Sequence, residues 1–244
     1  MTKPLDFPLL RLYSTPPHRC SYLSDRTAIT LFVDPAAAIA PHTYSALLRQ
    51  GFRRSGEHIY RPQCATCRAC IPVRIPAAQF KLTRAQRRAL EHNRDLVITT
   101  GPAEPTEEHY SLYQRYVHAR HPGGDMETMS VEQFRDFFLS SWAETEFIEF
   151  RLDRRLLAVA VVDRLEDGLS AIYTFFEPTE TKRSLGRFAV LCEVAEVRRR
   201  GLNWLYLGYW VQGCRKMAYK NEYQPLEYFT GGEWTQEEMR VSSS

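Results

Sequence analysis

The stretch that decides the fold is Glu146–Phe176, EFIEFRLDRRLLAVAVVDRLEDGLSAIYTFF. Three runs in it, Glu146–Leu152, Leu156–Arg164 and Leu169–Phe176, are rich in β-branched and aromatic residues, and short polar breaks at Asp153-Arg154 and Glu166–Gly168 part them. Strands joined by so few residues pair antiparallel, so the three predict a meander. Downstream, Ser184–Arg200 has the pattern of a helix and Trp204–Gly208 that of a strand; a short helix near Gly213–Tyr219 and a last strand near Leu226–Thr230 follow. Upstream, Glu107–Arg120 repeats Tyr110, Tyr113 and Tyr116 at helical spacing, a pattern of core packing more than of base stacking. Ser130 with Gln133 forms a capping box for a helix over Val131–Trp142.

Helices, three antiparallel strands, a helix, a strand, a short helix and a strand make the outline of an α/β fold, the acyltransferase fold of the GNAT type. In that fold the strands splay after the central pair, and amine and acyl donor meet at the splay. Before Gly101, Ala28–Val33 reads as a strand, Pro41–Gln50 as a helix stopping at Gly51, and Phe52–Tyr60 as a hairpin turning at Ser55-Gly56. Val73–Ile75 reads as extended and Leu96–Thr100 as a strand. Gly101–Pro105, GPAEP, is the best linker candidate. The expected division is therefore a cysteine-containing region 1–100 and a GNAT-like region 101–244. The first is long enough for a degenerate second GNAT-like unit, although no repeat is visible in its residues.

At 244 residues, 44% hydrophobic and 25% charged, the composition is that of an ordinary globular protein. No apolar run is long enough to span a bilayer, and MTKPLDFPLL lacks the basic-then-apolar signal pattern. A cytoplasmic location is expected, where cysteines stay reduced or bind metal. Net charge is only +3, so any nucleic-acid partner must be argued from where the charge sits. Thr83 caps a predicted helix to about Arg94 whose face carries Arg84, Arg87 and Arg88, a one-signed cluster suited to phosphate or simply solvated. In Tyr60–Arg74, YRPQCATCRACIPVR, Cys64, Cys67 and Cys70 recur at intervals of three between Pro62 and Pro72. With Cys20 they make four ligand-type cysteines. They either hold zinc or an iron–sulfur cluster or remain reduced, half-buried thiols; the spacing is not a standard zinc pattern.

Taken together, CSYL (Cys20–Leu23), GFRRSGEHIYRPQC (Gly51–Cys64), CRACIPVRI (Cys67–Ile75), FKLTRAQRRALEHNRDL (Phe80–Leu96), SLG (Ser184–Gly186), LYLGYW (Leu205–Trp210) and CRKMAYKNEYQPLE (Cys214–Glu227) carry a resemblance over almost the whole length. The chain resembles the aminoacyl-tRNA–protein transferases, in particular their short bacterial leucyl-transferring branch. Cys20-x-Tyr22 and Cys70-x-Pro72 are similar to the two cysteine motifs of the arginyl-transferring relatives. Leu23 and Ala69 stand where those relatives carry further cysteines, and Cys64 and Cys67 are the available substitutes. The resemblance implies transfer of leucine from leucyl-tRNA to the N-terminal α-amine of proteins beginning with Asp or Glu, which marks them for N-end-rule degradation. Rival readings are arginyl transfer to the same acceptors, a GNAT-type acetyltransferase, and a non-catalytic zinc-knuckle RNA-binding module.

The donor ester is already activated and the acceptor amine has a pKa of about 7.7–8.0, so direct attack suffices and neither a cofactor nor a cysteine nucleophile is required for the chemistry. Glu177, after YTFF, is expected to hold or deprotonate the amine, with Ser184 and Gly186 opening a helix whose amides face the oxyanion. Arg74 and Arg68, then Arg53 and Arg54, are the candidates to select an acidic acceptor by a forked contact to its carboxylate. For tRNA the candidates are Arg84, Arg87 and Arg88 on the stem, with Tyr209, Trp210, Lys216 and Lys220 at the 3′ end.

Overall fold

The computed structural model describes residues 10–236, so the opening MTKPLDFPL lies outside the described residues. The N-terminal part contains β1 (Leu12–Ser14), β2 (His18–Arg19), β3 (Thr27–Ala28), β4 (Thr30–Val33), α1 (Pro41–Arg49), β5 (Arg53–Ser55) and β6 (His58–Pro62). The strand expected over Ala28–Val33 is broken at Ile29, and the Phe52–Tyr60 hairpin turns where expected. β1-β4-β6-β5 form a small antiparallel sheet. The chain continues through β7 (Cys70–Pro76), α2 (Arg84–His92) and β8 (Val97–Pro102).

α3 (Glu107–Arg120) and α4 (Val131–Phe138) come next, then β9 (Thr145–Leu152), β10 (Arg155–Arg164) and β11 (Gly168–Phe176). These three strands are the expected meander. α4 has the expected capping box between Ser130 and Gln133 but stops at Phe138, four residues short of Trp142. Leu139 turns extended, which frees Trp142 to pack edge-on against Tyr44 of α1 at 4.9 Å. α5 (Leu185–Arg199), β12 (Trp204–Val211), a 3-10 turn at Arg215–Glu222, β13 (Glu227–Thr230) and β14 (Glu233–Thr235) complete the order.

The main sheet runs β14-β13-β7-β12-β11-β10-β9-β8, and β11–β12 is its parallel pair. β11, α5 and β12 thus make a crossover unit beside an antiparallel meander, which is the GNAT-like arrangement. One feature departs from the expected division. β7, from the cysteine segment, lies between β12 and β13, and β8 pairs with β9. Gly101 and Pro102 are not linker but the end of β8, opposite Phe147 and Glu146, and the Ala103 amide continues to the Thr145 carbonyl. The boundary expected at 100/101 therefore falls inside a strand of a sheet shared by both regions. Gly and Pro are tolerated there because β8 is an edge strand.

α5 covers one face of the sheet. Leu185, Phe188 and Ala189 pack on β9 and β10, while Val190, Leu191, Val194 and Val197 pack toward β7 and β12, with Ala89 of α2 alongside. α3 and α4 cover the other face of the meander through Leu112, Tyr113, Val117, Phe134 and Phe138, so the tyrosine repeat of α3 is core, as expected. Each such fully buried side chain contributes about 1.5–3 kcal/mol. The N-terminal sheet and α1 pack against Leu165 and Tyr206.

Two adjacent arginines of β5 fasten this N-terminal sheet to the main one. Arg54 forms a fully buried ion pair with Asp163 of β10 and donates to the Phe138 carbonyl and Thr145 Oγ1, each at 2.9 Å. Tyr44 donates to the same carboxylate at 2.6 Å and Thr145 at 2.8 Å. Every oxygen of Asp163 is therefore satisfied, the condition under which a buried charge pair is tolerated.

Candidate active site at the strand splay

β11 and β12 pair only over Gly168–Ser170 against Trp204–Tyr206, although the strands run on to Phe176 and Val211. Beyond that point they part. Arg53 enters the gap from β5, donating to Ser170 Oγ at 3.0 Å and to the Ala171 carbonyl, which would otherwise lack a strand partner on that side. Gly208 makes the room. It sits at the irregularity in the β7–β12 pairing with φ +77°, and a Cβ there would stand 3.2 Å from Arg53 Nε. Arg53 is buried, yet among the described residues its guanidinium forms no ion pair.

Two further buried titratable groups border the gap. Lys220, on the 3-10 turn, donates to the Tyr209 carbonyl at 2.7 Å; burial, reinforced by Arg53, pushes its ammonium down to about 7. Glu193, on α5, is fully buried, and neither carboxyl oxygen has a hydrogen-bond partner among the described residues. Burial pushes it up to about 8 against the opposing pull of Arg53. Tyr219 is exposed on the turn and within electrostatic reach of Glu193, Tyr116 and Arg53, which places it at the rim. The gap is thus bordered by two buried cations, Arg53 and Lys220, and by one buried acid without a hydrogen-bond partner among the described residues. It suits a ligand that brings its own carboxylate and its own amine.

Of the four arginines expected to read an acidic acceptor, only Arg53 stands in the splay. Arg54 belongs to the buried pair with Asp163. Arg74 donates to Glu227 at 2.9 Å and lies between the Trp204 and Trp234 rings, 3.6 and 4.3 Å from their centroids. Arg68 is exposed and folds back onto the Cys64 and Cys67 carbonyls. Glu177 lies at the end of β11, held by Arg115 Nε at 3.1 Å, Arg155 at 3.4 Å and Thr179 Oγ1 at 2.9 Å. Burial would raise it, but the bonds from Thr179 and Arg115 outweigh that and hold it below the ordinary range, which disposes it against taking a proton. Ser184 precedes α5 with φ +52° and makes no side-chain cap, and a Cβ on Gly186 would come within 3.1 Å of the Phe176 ring, a close-packing role.

Among the tRNA candidates, Arg84, Arg87 and Arg88 are exposed on α2, and Lys216 is exposed on the turn. Tyr209, Trp210 and Lys220 are not surface groups: Tyr209 donates to the Gly51 carbonyl at 2.9 Å, and Trp210 lies in the core beneath α5. The sequence reading passed over Glu193 and Ser170. An acid inside the apolar run AVLCEVAEV was the available signal for Glu193; nothing local marks Ser170, whose neighbour Arg53 is 117 residues away.

The cysteines do gather. Burial pushes the Cys70 thiol up to about 12, and Cys20, Cys64, Cys67 and also Cys214 lie near enough to add to that shift. Cys20 Sγ instead accepts from the Tyr22 and Leu23 amides at 3.4 Å, and Cys64 Sγ approaches the Ile29 carbonyl at 3.9 Å. Among the described residues no three His, Cys, Asp or Glu side chains converge into a set that holds a metal ion. As placed, the thiols do not form a zinc or cluster site among the described residues.

Models of two halves of one family match this chain: "Arginine-tRNA-protein transferase, N terminus" over residues 18–88 and its "C terminus" over residues 108–230. The chain belongs to the arginine-tRNA-protein transferase family. Within the family, the chain is 51% identical over 232 residues to the aspartate/glutamate leucyltransferase of Alcanivorax borkumensis, covering 95% of this chain and 96% of that one. It is also 51% identical over 225 residues to the protein of the same name from Hahella chejuensis, covering 92% and 96%. This member of the family is an aminoacyltransferase. Solved structures resemble it only distantly. The C-terminal domain of a putative lysylphosphatidylglycerol synthetase from Agrobacterium fabrum superposes at TM-score 0.46 with 16% identity, over 71% of this chain and 53% of that one. A tandem GNAT protein from the clavulanic acid pathway gives 0.39 and 12%, over 76% and 55%. Among the described residues no helix is long and apolar enough to cross a membrane.

Proposed function

We infer that this chain takes leucine from the 3′ end of leucyl-tRNA and joins it to the α-amine of polypeptides beginning with Asp or Glu, marking them for N-end-rule degradation in the cytoplasm. The observation that carries the reading is Arg53: a buried guanidinium that forms no ion pair among the described residues, standing where amine and acyl donor meet in a GNAT-like sheet. A buried cation without a partner costs several kcal/mol, and the acidic side chain of the acceptor supplies what is missing. The 51% identity to aspartate/glutamate leucyltransferases supports leucine over arginine as the residue transferred.

The test is the reaction itself. With labelled leucyl-tRNA, peptides starting with Asp or Glu are expected to gain leucine at the N-terminus, while the same peptides N-acetylated, or starting with Asn, gain little. Arginyl-tRNA offered in parallel is expected to yield no product; label from arginine alone would overturn the choice of donor.

The donor is a polyanion, and α2 offers it the exposed Arg84, Arg87 and Arg88. Arg87 reaches the Leu82 carbonyl at 2.7 Å, whereas Arg84 and Arg88 have no partner among the described residues. Replacing Arg84 and Arg88 together by alanine is expected to weaken tRNA binding and to reduce the slope of log K against log salt by up to about 2. An unchanged slope in filter binding would remove α2 from the tRNA path.

A further inference from the structure

Glu193 is the one feature of the splay that neither the fold nor substrate selection explains. A carboxyl group in the interior is ordinarily paired or hydrogen-bonded. This one is fully buried, with both oxygens unpartnered, on a helix whose remaining inward positions are Val, Leu, Phe and Ala. Packing alone would be better served by Leu or Met at that position. Its surroundings are unusual too: Arg53 of β5, Tyr219 of the 3-10 turn and Tyr223 of the segment that follows lie within electrostatic reach of it, with Cys192 next to it on α5. Lys220 is within reach of the same arginine.

We propose that Glu193 is the catalytic residue that receives the acceptor's α-ammonium group and carries its protons during leucyl transfer. The assignment rests on the leucyl-transfer reading above. An N-terminal Asp or Glu is a zwitterionic head, and the splay has a complementary pair of groups: Arg53 for the side-chain carboxylate, Glu193 for the ammonium. The buried carboxyl, near 8, and a terminal amine of about 7.7–8.0 are closely matched, so the proton passes between them at little cost. The freed amine then forms a bond from nitrogen to the leucyl carbonyl carbon, and the bond from that carbon to the tRNA 3′ oxygen breaks. The nitrogen loses two protons in becoming an amide. One leaves with the 3′ oxygen as its hydroxyl and the other goes to solvent, both by way of Glu193.

The assignment has a stability signature. The unfolded chain gives up the Glu193 proton at ordinary carboxylate pH, whereas the folded chain keeps it until about 8, so this residue erodes stability as pH rises across that window. Glu193→Gln is therefore expected to melt higher than wild type at pH 8 while losing about 100-fold in kcat for an Asp-initiated peptide, with its KM little changed. Glu193→Ala is expected to regain part of the rate when formate is added. A Glu193→Gln enzyme within about threefold of wild-type kcat would overturn the proposal, as would failure of formate to restore any rate to a folded Glu193→Ala. Wild-type enzyme that leucylates no acidic acceptor would overturn the transfer reading and this one with it; active wild type beside an undiminished Glu193→Gln overturns this one alone.

Discussion

Arg53→Gln is expected to lower kcat/KM for an Asp-initiated peptide by about 10²–10³, the equivalent of about 3–4 kcal/mol for truncating one partner of a desolvated charge pair. The loss should be selective. Glutamine keeps a donor for Ser170 or the Ala171 carbonyl but offers an acidic side chain no charge, so the preference for Asp over Asn at the acceptor terminus should collapse by about the same factor. Thermal stability should hold or rise, because the substitution removes a buried cation that forms no ion pair among the described residues. Competition between Asp- and Asn-initiated peptides for one pool of leucyl-tRNA reads this directly. A preserved preference would show that the acceptor's carboxylate is read elsewhere. Arg74 and Arg68 would not be obvious substitutes, one being committed to Glu227 and two indoles and the other to loop carbonyls.

The neighbouring arginine predicts the opposite outcome. Asp163→Ala is expected to destabilise the fold by about 3–5 kcal/mol, because it leaves the Arg54 guanidinium buried without its counter-ion and strips Tyr44 and Thr145 of their acceptor. For a chain of this size that corresponds to a fall in Tm of about 6–20 °C. Whatever protein remains folded should keep its preference for acidic acceptors, since Asp163 lies in the meander and not in the splay. Calorimetry of Asp163→Ala beside Arg53→Gln separates the two roles: one loses stability and keeps selectivity, the other loses selectivity and keeps stability. If both variants lost both properties, the division of labour along β5 would be wrong.

The cysteine segment that dominates a reading of the sequence turns out to matter for the fold as much as for chemistry. Cys70 begins β7, and the residues that follow it, Ile71, Val73 and Ile75, are core of the main sheet between β12 and β13. The α2 arginines are exposed as their one-sided clustering suggested. Tyr209 and Trp210, which suggested base stacking, are instead turned into the protein by the same pleat that places Gly208 beside Arg53.

By itself the sequence determined what depends on neighbours a few residues away: the meander, the helix cap at Thr83, the capping box at Ser130, the aromatic face of α3, and, through ordered motifs spread along its length, the family. What only the tertiary structure decided is which charges are spent. Four arginines were candidates to read an acidic terminus, Arg74 and Arg68 ahead of Arg53 and Arg54, and burial with Asp163, sandwiching with Glu227 and a fold back onto loop carbonyls removed three of them, both of the favoured ones included. Glu193 became visible for the same reason. Whether a charged side chain has a partner depends on residues remote in the chain, and the cost of leaving it without one appears only when water is excluded around it.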